Sequence, residues 1–576
     1  MSQPRTTSER SEDIPLIIYW LLQLKLHKVI DEALPAPHGN RQGLSYGQLG
    51  VVLLSYTMTQ ADHRLCAVED WVKQHHQTLS RATGWTIGLK DASDDRLASL
   101  LEVLGAGDES REQMEEQLGQ RMIRAYELPT EVARCDTTSF SVYHQIEEEN
   151  EGTSLLRFGH SKNHRPDLRQ YRQLLGTIDP AGVPLVSETL AGNGADDPVY
   201  LPTWQRLVKV IGHKDFIYIA DCKAAAHQTR AELAQAGGRY CFPLPMTGHT
   251  PSGLKSWVLN PPTPWQELRL PNSAESSPAM GVGFEMELGK IEYDCDTEES
   301  FHWLERYLVV RSDALAQRQQ KSLYQRLDKA EQALSKLAAK SHQDHCALQT
   351  KVQSILKRYR VKDYFLTEID SETVTRYAGP GRPSRKDPNR TILSTQFQLK
   401  FERQGKAIAE AEQLAGWRIY VTNVKIEQLS LAQAVVYYRD QWQVEHGFHR
   451  FKRGQLPALP IYLSNEERII GLMFLLTIAL RCFTLIEFQV RQQLQTEQDE
   501  IAGLYAGNPK RKTQRPTAEG LLAAFSGVTL YHHRDGTSEI TPLNDLQRRI
   551  LALMKLPETI YALPVPTRFI PDSAQK

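Results

Sequence analysis

The stretch Phe216-Ile-Tyr-Ile-Ala-Asp221-Cys-Lys-Ala decides how this chain is read. Five apolar residues in a row, closed by a carboxylate, predict a short strand buried on both faces. The residues that follow, to about position 236, read as a helix. Upstream, Val132-Ala-Arg-Cys-Asp136-Thr-Thr-Ser-Phe140 is a second strand pattern that turns polar at an aspartate. Between the two, residues 173–179 and 184–189 flank a Pro-Ala-Gly turn and predict a hairpin. Residues 203–211 then predict a helix, and 239–242 a further strand. Three strands in meander, then helix, strand, helix, strand, is the pattern of an α/β layer around a mixed sheet.

Working outward, residues 14–126 carry helical periodicity. Leu21, Leu22, Leu24, Leu26 and Val29 form one apolar face, and Leu49, Val52, Leu53, Tyr56 and Met58 another. Residues 246–312 are richer in Pro and Gly, with strands expected near 283–293 and 307–311. A long charged helix is expected from 314 to about 358, with Leu323, Leu327, Leu334 and Leu337 as its stripe. A loop at 376–390, a strand at 417–422 and a strong helix over about 431–452 follow. The expected segments are a helical N-terminal domain (1–127), a first core part (128–245), an insertion (246–424), a second core part (425–500) and a C-terminal region (501–576).

With 576 residues, two to four domains are expected. At 41% hydrophobic and 24% charged residues the chain reads as globular, which excludes a mainly disordered, collagen-like or membrane-embedded protein. The longest apolar run, 469–480, is shorter than the roughly 20 residues of a bilayer span, so a buried helix is expected. Lys and Arg number 68 against 69 Asp and Glu, so any nucleic-acid partner must be read from local clusters. Seven cysteines without a CxxC argue against a disulfide framework or zinc ribbon. Glu9, Glu12 and Asp13 precede the first apolar run, a poor signal peptide, so the cytoplasm is expected.

The chemistry lies in three carboxylates. Asp136 and Asp221 each end a hydrophobic strand, where side chains from different strands converge on a cleft. Glu445 lies in YYRDQWQVEHGFHRFK, where Tyr438, Gln441, Glu445 and Lys452 share one face of an ideal helix. Hard carboxylate oxygens suit Mg²⁺, phosphate oxygens complete its shell, and a lysine two turns from the glutamate neutralises phosphate charge. Taken singly, each aspartate also reads as a strand-end cap and Glu445 as a solvated helix residue.

The spacing Tyr438-x2-Gln441-x3-Glu445-x6-Lys452 is similar to the Tyr-x2-Arg-x3-Glu-x6-Lys signature of DDE transposases of bacterial insertion sequences, in the RNase H-like superfamily. Three of its four positions match. Gln441 stands where the signature has Arg, and Arg439 and Arg450 point elsewhere on an ideal helix. The separation of 224 residues from Asp221 to Glu445 resembles the branch with a long insertion between the second Asp and the Glu. The phrases GLSYGQL, DHRL, GHSKNHRPDLRQ and WRIYVTN resemble the same branch, so the likeness covers nearly the whole chain.

The resemblance implies an RNase H-like mixed-sheet catalytic core, interrupted by a β-rich plus helical insertion, with a helical N-terminal domain that recognises terminal inverted repeats. It implies that Asp136, Asp221 and Glu445 are catalytic and hold two Mg²⁺ ions, with Mn²⁺ able to substitute. A water would attack the phosphodiester at the element's end, and the freed 3′-OH would attack target DNA; some insertion-containing relatives pass through a hairpin. The implied partners are double-stranded DNA and a second copy in a homodimeric synaptic complex at the nucleoid.

Basic clusters add candidate DNA contacts. Residues 157–172 hold Arg157, Lys162, Arg165, Arg169 and Arg172 against one acid, Asp167. Gly379-Pro-Gly-Arg382-Pro-Ser-Arg-Lys386 resembles an AT-hook core, whose Arg382 enters a narrow minor groove; a charged linker is the plain alternative. Trp257, Trp265 and Trp303 are candidates for stacking on a flipped base or for core packing. His446 and His449 lack partners at zinc spacing. Asp196 and Asp197 in GNGADDP read as a further ligand or as Asx-turn residues. Two rivals stay open: another metal-dependent nuclease of this fold, and a DNA-binding regulator that has lost catalysis.

Overall fold

The computed structural model describes residues 6–37, 42–143, 154–161, 165–269, 279–293, 300–377, 391–533 and 537–563. The chain divides into two compact units: Met1–Phe242 with Ile291–Trp303 and Tyr437–Lys576, and Pro243–Lys290 with Leu304–Val436.

The first unit begins with strand β1 (Thr6–Arg10) and helices α1 (Ile14–Gln23), α2 (Leu26–Ala33), α3 (Tyr46–Gln60), α4 (Leu65–Gln74), α5 (His76–Thr83), α6 (Asp94–Ala106) and α7 (Asp108–Tyr126). The phrase GLSYGQL folds for a local reason. Ser45 Oγ accepts from the Gln48 N–H at 3.2 Å, and Gln48 Oε1 accepts from the Ser45 N–H at 3.0 Å. This capping box starts α3, which buries Leu49, Val52, Leu53, Tyr56 and Met58.

The sheet follows with β2 (Val132–Val142), β3 (Arg169–Ile178), β4 (Val183–Ala191), α8 (Tyr200–Ile211), β5 (Ile217–Ile219), α9 (His227–Gln235) and β6 (Arg239–Pro243). β2, β3 and β4 form an antiparallel meander, with Asp136 opposite Leu175. β5 joins β2 in parallel and β6 joins β5 in parallel, giving the order β4-β3-β2-β5-β6. An antiparallel meander continued by parallel crossover strands is the RNase H-like arrangement that the resemblance implied.

The second unit contains α10 (Thr250–Leu259), β7 (Gln266–Leu268), most of β8 (Gly281–Tyr293) and β9 (Ser300–Ser312), then α11 (Asp313–Ala338), α12 (His345–Tyr359), β10 (Phe365–Tyr377), β11 (Thr391–Arg403), α13 (Gly405–Leu414) and β12 (Trp417–Thr422). The single helix expected over 314–358 is two helices. Asp344 accepts from the Ala347 N–H at 3.1 Å and so caps a new helix start. Leu323, Leu327 and Leu334 of α11 meet Leu348, Val352 and Leu356 of α12 in one apolar cluster, which uses the stripe within this chain. β10 and β11 pair antiparallel along their length.

The chain returns through α14 (Leu431–Arg439) into the first unit with α15 (Trp442–Arg453), α16 (Glu466–Glu497), α17 (Ala518–Ala523), β13 (Thr529–His533), β14 (Ser538–Ile540) and α18 (Asp545–Leu553). The helix expected over 431–452 is broken. Gln441 N–H bonds the Tyr438 carbonyl at 3.2 Å and Gln443 N–H bonds that of Asp440 at 3.0 Å, both i→i−3. These tightened bonds form a turn between α14 and α15. α16 is long and apolar enough to cross a bilayer, yet 94% of its most apolar window is buried within the protein. It packs against β4 and α6 as a core helix.

Candidate active site

Asp136 lies within β2, and Asp221 lies two residues past the end of β5. In the parallel pairing of these strands Arg134 stands opposite Ile219. Each aspartate is two residues beyond that pair, so the strand register brings both to one level of the sheet. The buried Cys135 thiol senses both: burial pushes it up to about 12, and the charges of Asp136 and Asp221 add to the rise.

Both aspartates are held by donors. Asp136 Oδ1 accepts from the Thr137 N–H at 2.8 Å. Asp221 Oδ1 accepts from the Tyr200 hydroxyl at 2.5 Å and from the Lys223 N–H at 3.0 Å. Tyr200 is wholly buried at the start of α8. Burial first, and then the Asp221 charge, hold its phenol far above the usual range, so it remains a donor.

The third carboxylate comes from α15, which runs along β2. Just before α15, the charge of Asp440 helps raise Asp179, for which burial is the main cause. Asp179 forms a buried ion pair with Arg134 of β2, Arg134 Nε donating at 2.7 Å. Midway along, a Cβ on Gly447 would meet Leu175 Cδ1 at 3.5 Å and Leu480 Cδ2 at 3.1 Å. Leu175 is the cross-strand partner of Asp136. At the far end Lys452 Nζ donates to Thr138 Oγ1 at 2.7 Å and lies 5.4 Å from the Phe140 ring centre. The helix therefore advances along β2 from Arg134 toward Phe140, with Gly447 at the level of the Asp136–Leu175 pair and Glu445 two residues before it. Seven residues separate Glu445 from Lys452, so both occupy the helix edge that borders β2. Val444, Gly447, Phe448 and Phe451 are buried, whereas Glu445 is exposed.

Among the described residues no three Asp, Glu, His or Cys side chains form a ready-made metal site. The donor set still suits Mg²⁺ in kind, since this ion keeps several waters and takes one or two carboxylates plus substrate phosphate oxygens. His446, whose imidazole burial pushes down, and the exposed His449 form no zinc site among the described residues.

The remaining candidates are dispersed. Tyr438 is half-buried on α14, across the turn from Glu445 and Lys452, so the four signature positions do not share one continuous helix. Gln441 is half-buried in that turn, and its Oε1 finds no hydrogen-bond partner among the described residues. Arg157 Nε donates to the Ser154 carbonyl at 2.6 Å. Arg165 is exposed and paired with Asp167 at 2.6 Å, and the Arg169 guanidinium lies 4.9 Å from the Phe158 ring centre. Arg172 leaves the surface cluster: it turns inward onto Asp196 at 2.6 Å. Lys162 and Arg382, with the Gly-Arg-Pro stretch, lie outside the described residues. Trp303 donates to the Tyr240 hydroxyl at 3.0 Å, while Trp257 and Trp265 meet Tyr307 and Trp417 edge-on. All three tryptophans have packing partners.

Sequence reasoning missed Tyr200, Thr138 and Lys223. The available signal was the phrase GNGADDPVY, whose glycines and aspartates stand directly before a helix.

The sequence model of the family described as "Transposase DDE domain" matches residues 130–482, a span that contains all three carboxylates. The chain belongs to the DDE transposase family. DNA is therefore the partner of this transposase. Among solved structures, the chain is similar to the piggyBac transposase in a synaptic complex with hairpin DNA, at 9% identity and a TM-score of 0.35, covering 100% of this chain and 91% of that one. Among curated proteins none matches.

Proposed function

We propose that this transposase cuts at the ends of its own insertion sequence and joins the freed 3′-OH to target DNA, using Asp136, Asp221 and Glu445. The observation that supports this reading is the register of Asp136 and Asp221 on neighbouring parallel strands, with α15 laid along the same β2. Two Mg²⁺ ions held there, or Mn²⁺ in their place, would lower the pKa of an attacking water and stabilise the leaving 3′ oxygen.

The chain's own groups supply the rest. Asp136 and Asp221 offer carboxylates from paired strands, and Tyr200 orients Asp221. Glu445 brings a carboxylate from an exposed helix edge that DNA reaches without unfolding anything. Lys452 places a positive charge beside β2, and Arg157, Arg165 and Arg169 extend it toward the DNA backbone. Tyr438 and Gln441 contact the end DNA at the α14–α15 turn. The helical N-terminal domain recognises the terminal repeats, and two copies synapse two ends.

Cleavage of a labelled duplex carrying the element's own end, with Mg²⁺ and with EDTA, tests this reading. Metal-dependent nicking at the element boundary, lost in Glu445→Gln, is the expected result. Specific binding without nicking by the wild-type protein would assign it to regulation instead.

A further inference from the structure

The connection between β4 and α8 touches both β2, which carries Asp136, and the segment after β5 that carries Asp221. Asp196, in this connection, is 7% exposed. Its Oδ1 accepts from Thr137 Oγ1 at 3.0 Å and from Arg172 Nη1 at 2.6 Å. Its Oδ2 accepts from Lys223 Nζ at 3.0 Å. Thr137 directly follows Asp136, and Lys223 stands two residues after Asp221, donating its own N–H to Asp221. Four residues on, Tyr200 donates to Asp221 itself.

The segment is fixed at its other end by a close approach. A Cβ on Gly192 would fall 1.8 Å from the Gln170 carbonyl oxygen, so only glycine lets the chain lie against β3 there. Gln170 Nε2 donates to the Gly192 carbonyl at 2.8 Å, and Arg172 Nε to that of Ala191 at 3.0 Å. Burial alone would raise the Asp196 carboxyl; the bonds from Lys223, Arg172 and Thr137 outweigh it and keep the group ionised.

We propose that residues 192–200 form a positioning strap that sets the separation of Asp136 and Asp221, Asp196 acting through Thr137 and Lys223 and Tyr200 acting directly on Asp221. The proposal rests on the reading of those two aspartates as the metal-holding pair. Asp196 is thus a positioning residue and not a third ligand: its oxygens are engaged by a hydroxyl, a guanidinium and an ammonium.

Titration of the full-length protein with Mn²⁺, read by the free-ion electron paramagnetic resonance signal, tests the strap apart from turnover. The set is wild type, Asp221→Asn, Tyr200→Phe, Lys223→Met and Asp196→Asn, each with its thermal midpoint. Tyr200→Phe keeps the buried ring, and Lys223→Met alters a half-exposed side chain, so both are expected to fold. Mn²⁺ affinity in Tyr200→Phe and Asp196→Asn should fall on the order of tenfold, as for other groups that orient metal ligands. Lys223→Met should fall less, because Thr137 and Arg172 still hold Asp196. Unchanged affinity in the folded strap variants, with binding lost in Asp221→Asn, overturns the strap alone. Wild-type affinity in Asp221→Asn, or no binding by wild type, overturns the site itself.

Discussion

Lys452 donates to the Thr138 hydroxyl at 2.7 Å, which ties the last turn of α15 to the strand that carries Asp136 two residues earlier. One lysine thus both holds the helix and places a cation beside the reacting strand. Two substitutions separate these roles. Lys452→Met should lower the salt dependence of DNA binding by about one counterion, because one phosphate contact is removed. Thr138→Val should leave that slope unchanged and cost about 1 kcal/mol of stability. Equal slopes in both variants would remove Lys452 from the DNA path.

Arg450 lies on the same helix and is 2% exposed. It pairs with Glu487 of α16 and, at 2.7 Å, with Glu519 of α17. Arg450→Met leaves the Glu519 carboxylate without its ion-pair partner and Glu487 with Arg491 alone, and should cost about 3–5 kcal/mol, read from denaturant unfolding.

The same cluster gives a pH dependence. Burial pushes the Glu519 carboxyl up, but the Arg450 bonds and charge pull it further down, so its folded pKa lies below the usual glutamate range. A depressed carboxyl contributes stability that is present above its unfolded pKa of about 4.3 and lost as pH falls through the lower folded value. The stability advantage of wild type over Glu519→Gln should hold at neutral pH and shrink below about pH 4.

Asp13 carries the opposite sign. Burial raises its carboxyl to about 7. A raised carboxyl contributes stability that is full below its unfolded pKa and lost as pH rises through the folded value. Asp13→Asn should therefore gain over wild type as pH climbs from about 4 to 7 and level off above, by about 4 kcal/mol at most. A gain that does not change with pH would contradict the burial argument.

Gln441 offers a trade between stability and binding. Its buried amide oxygen has no partner among the described residues. Gln441→Met should raise stability by about 1 kcal/mol and weaken binding to end DNA. Tighter DNA binding in this variant would place the residue away from the DNA.

Much of the sheet was legible because buried strands announce themselves by composition. The runs ending near Asp136 and Asp221, and the hairpin at the Pro-Ala-Gly turn, fell where β2, β5, β3 and β4 lie. Both misread helices failed for one physical reason. Periodicity records which residues are apolar and does not record where local hydrogen bonding interrupts a helix, so the Asp344 side-chain cap and the Asp440–Gln441 turn each cut a continuous pattern. The carboxylates were readable as types beside hydrophobic runs, but Asp136 does not end its strand: β2 runs on to Val142, because Thr137 to Val142 keep pairing with β3. The strap that holds two of these carboxylates was not readable, because Asp196, Thr137 and Lys223 are remote in sequence and meet only through the fold.

The central claim is that Asp136, Asp221 and Glu445 serve one metal-dependent site, and iron-directed backbone cleavage tests it most directly. Fe²⁺ replaces Mg²⁺ on the full-length protein with end DNA bound, peroxide generates hydroxyl radicals at the metal, and the cut positions are read by mass spectrometry. The expected cuts cluster beside residues 136, 221 and 445 together, and all three vanish in Asp221→Asn. Cuts beside 136 and 221 without 445, or a pattern indifferent to Asp221→Asn, would contradict the account.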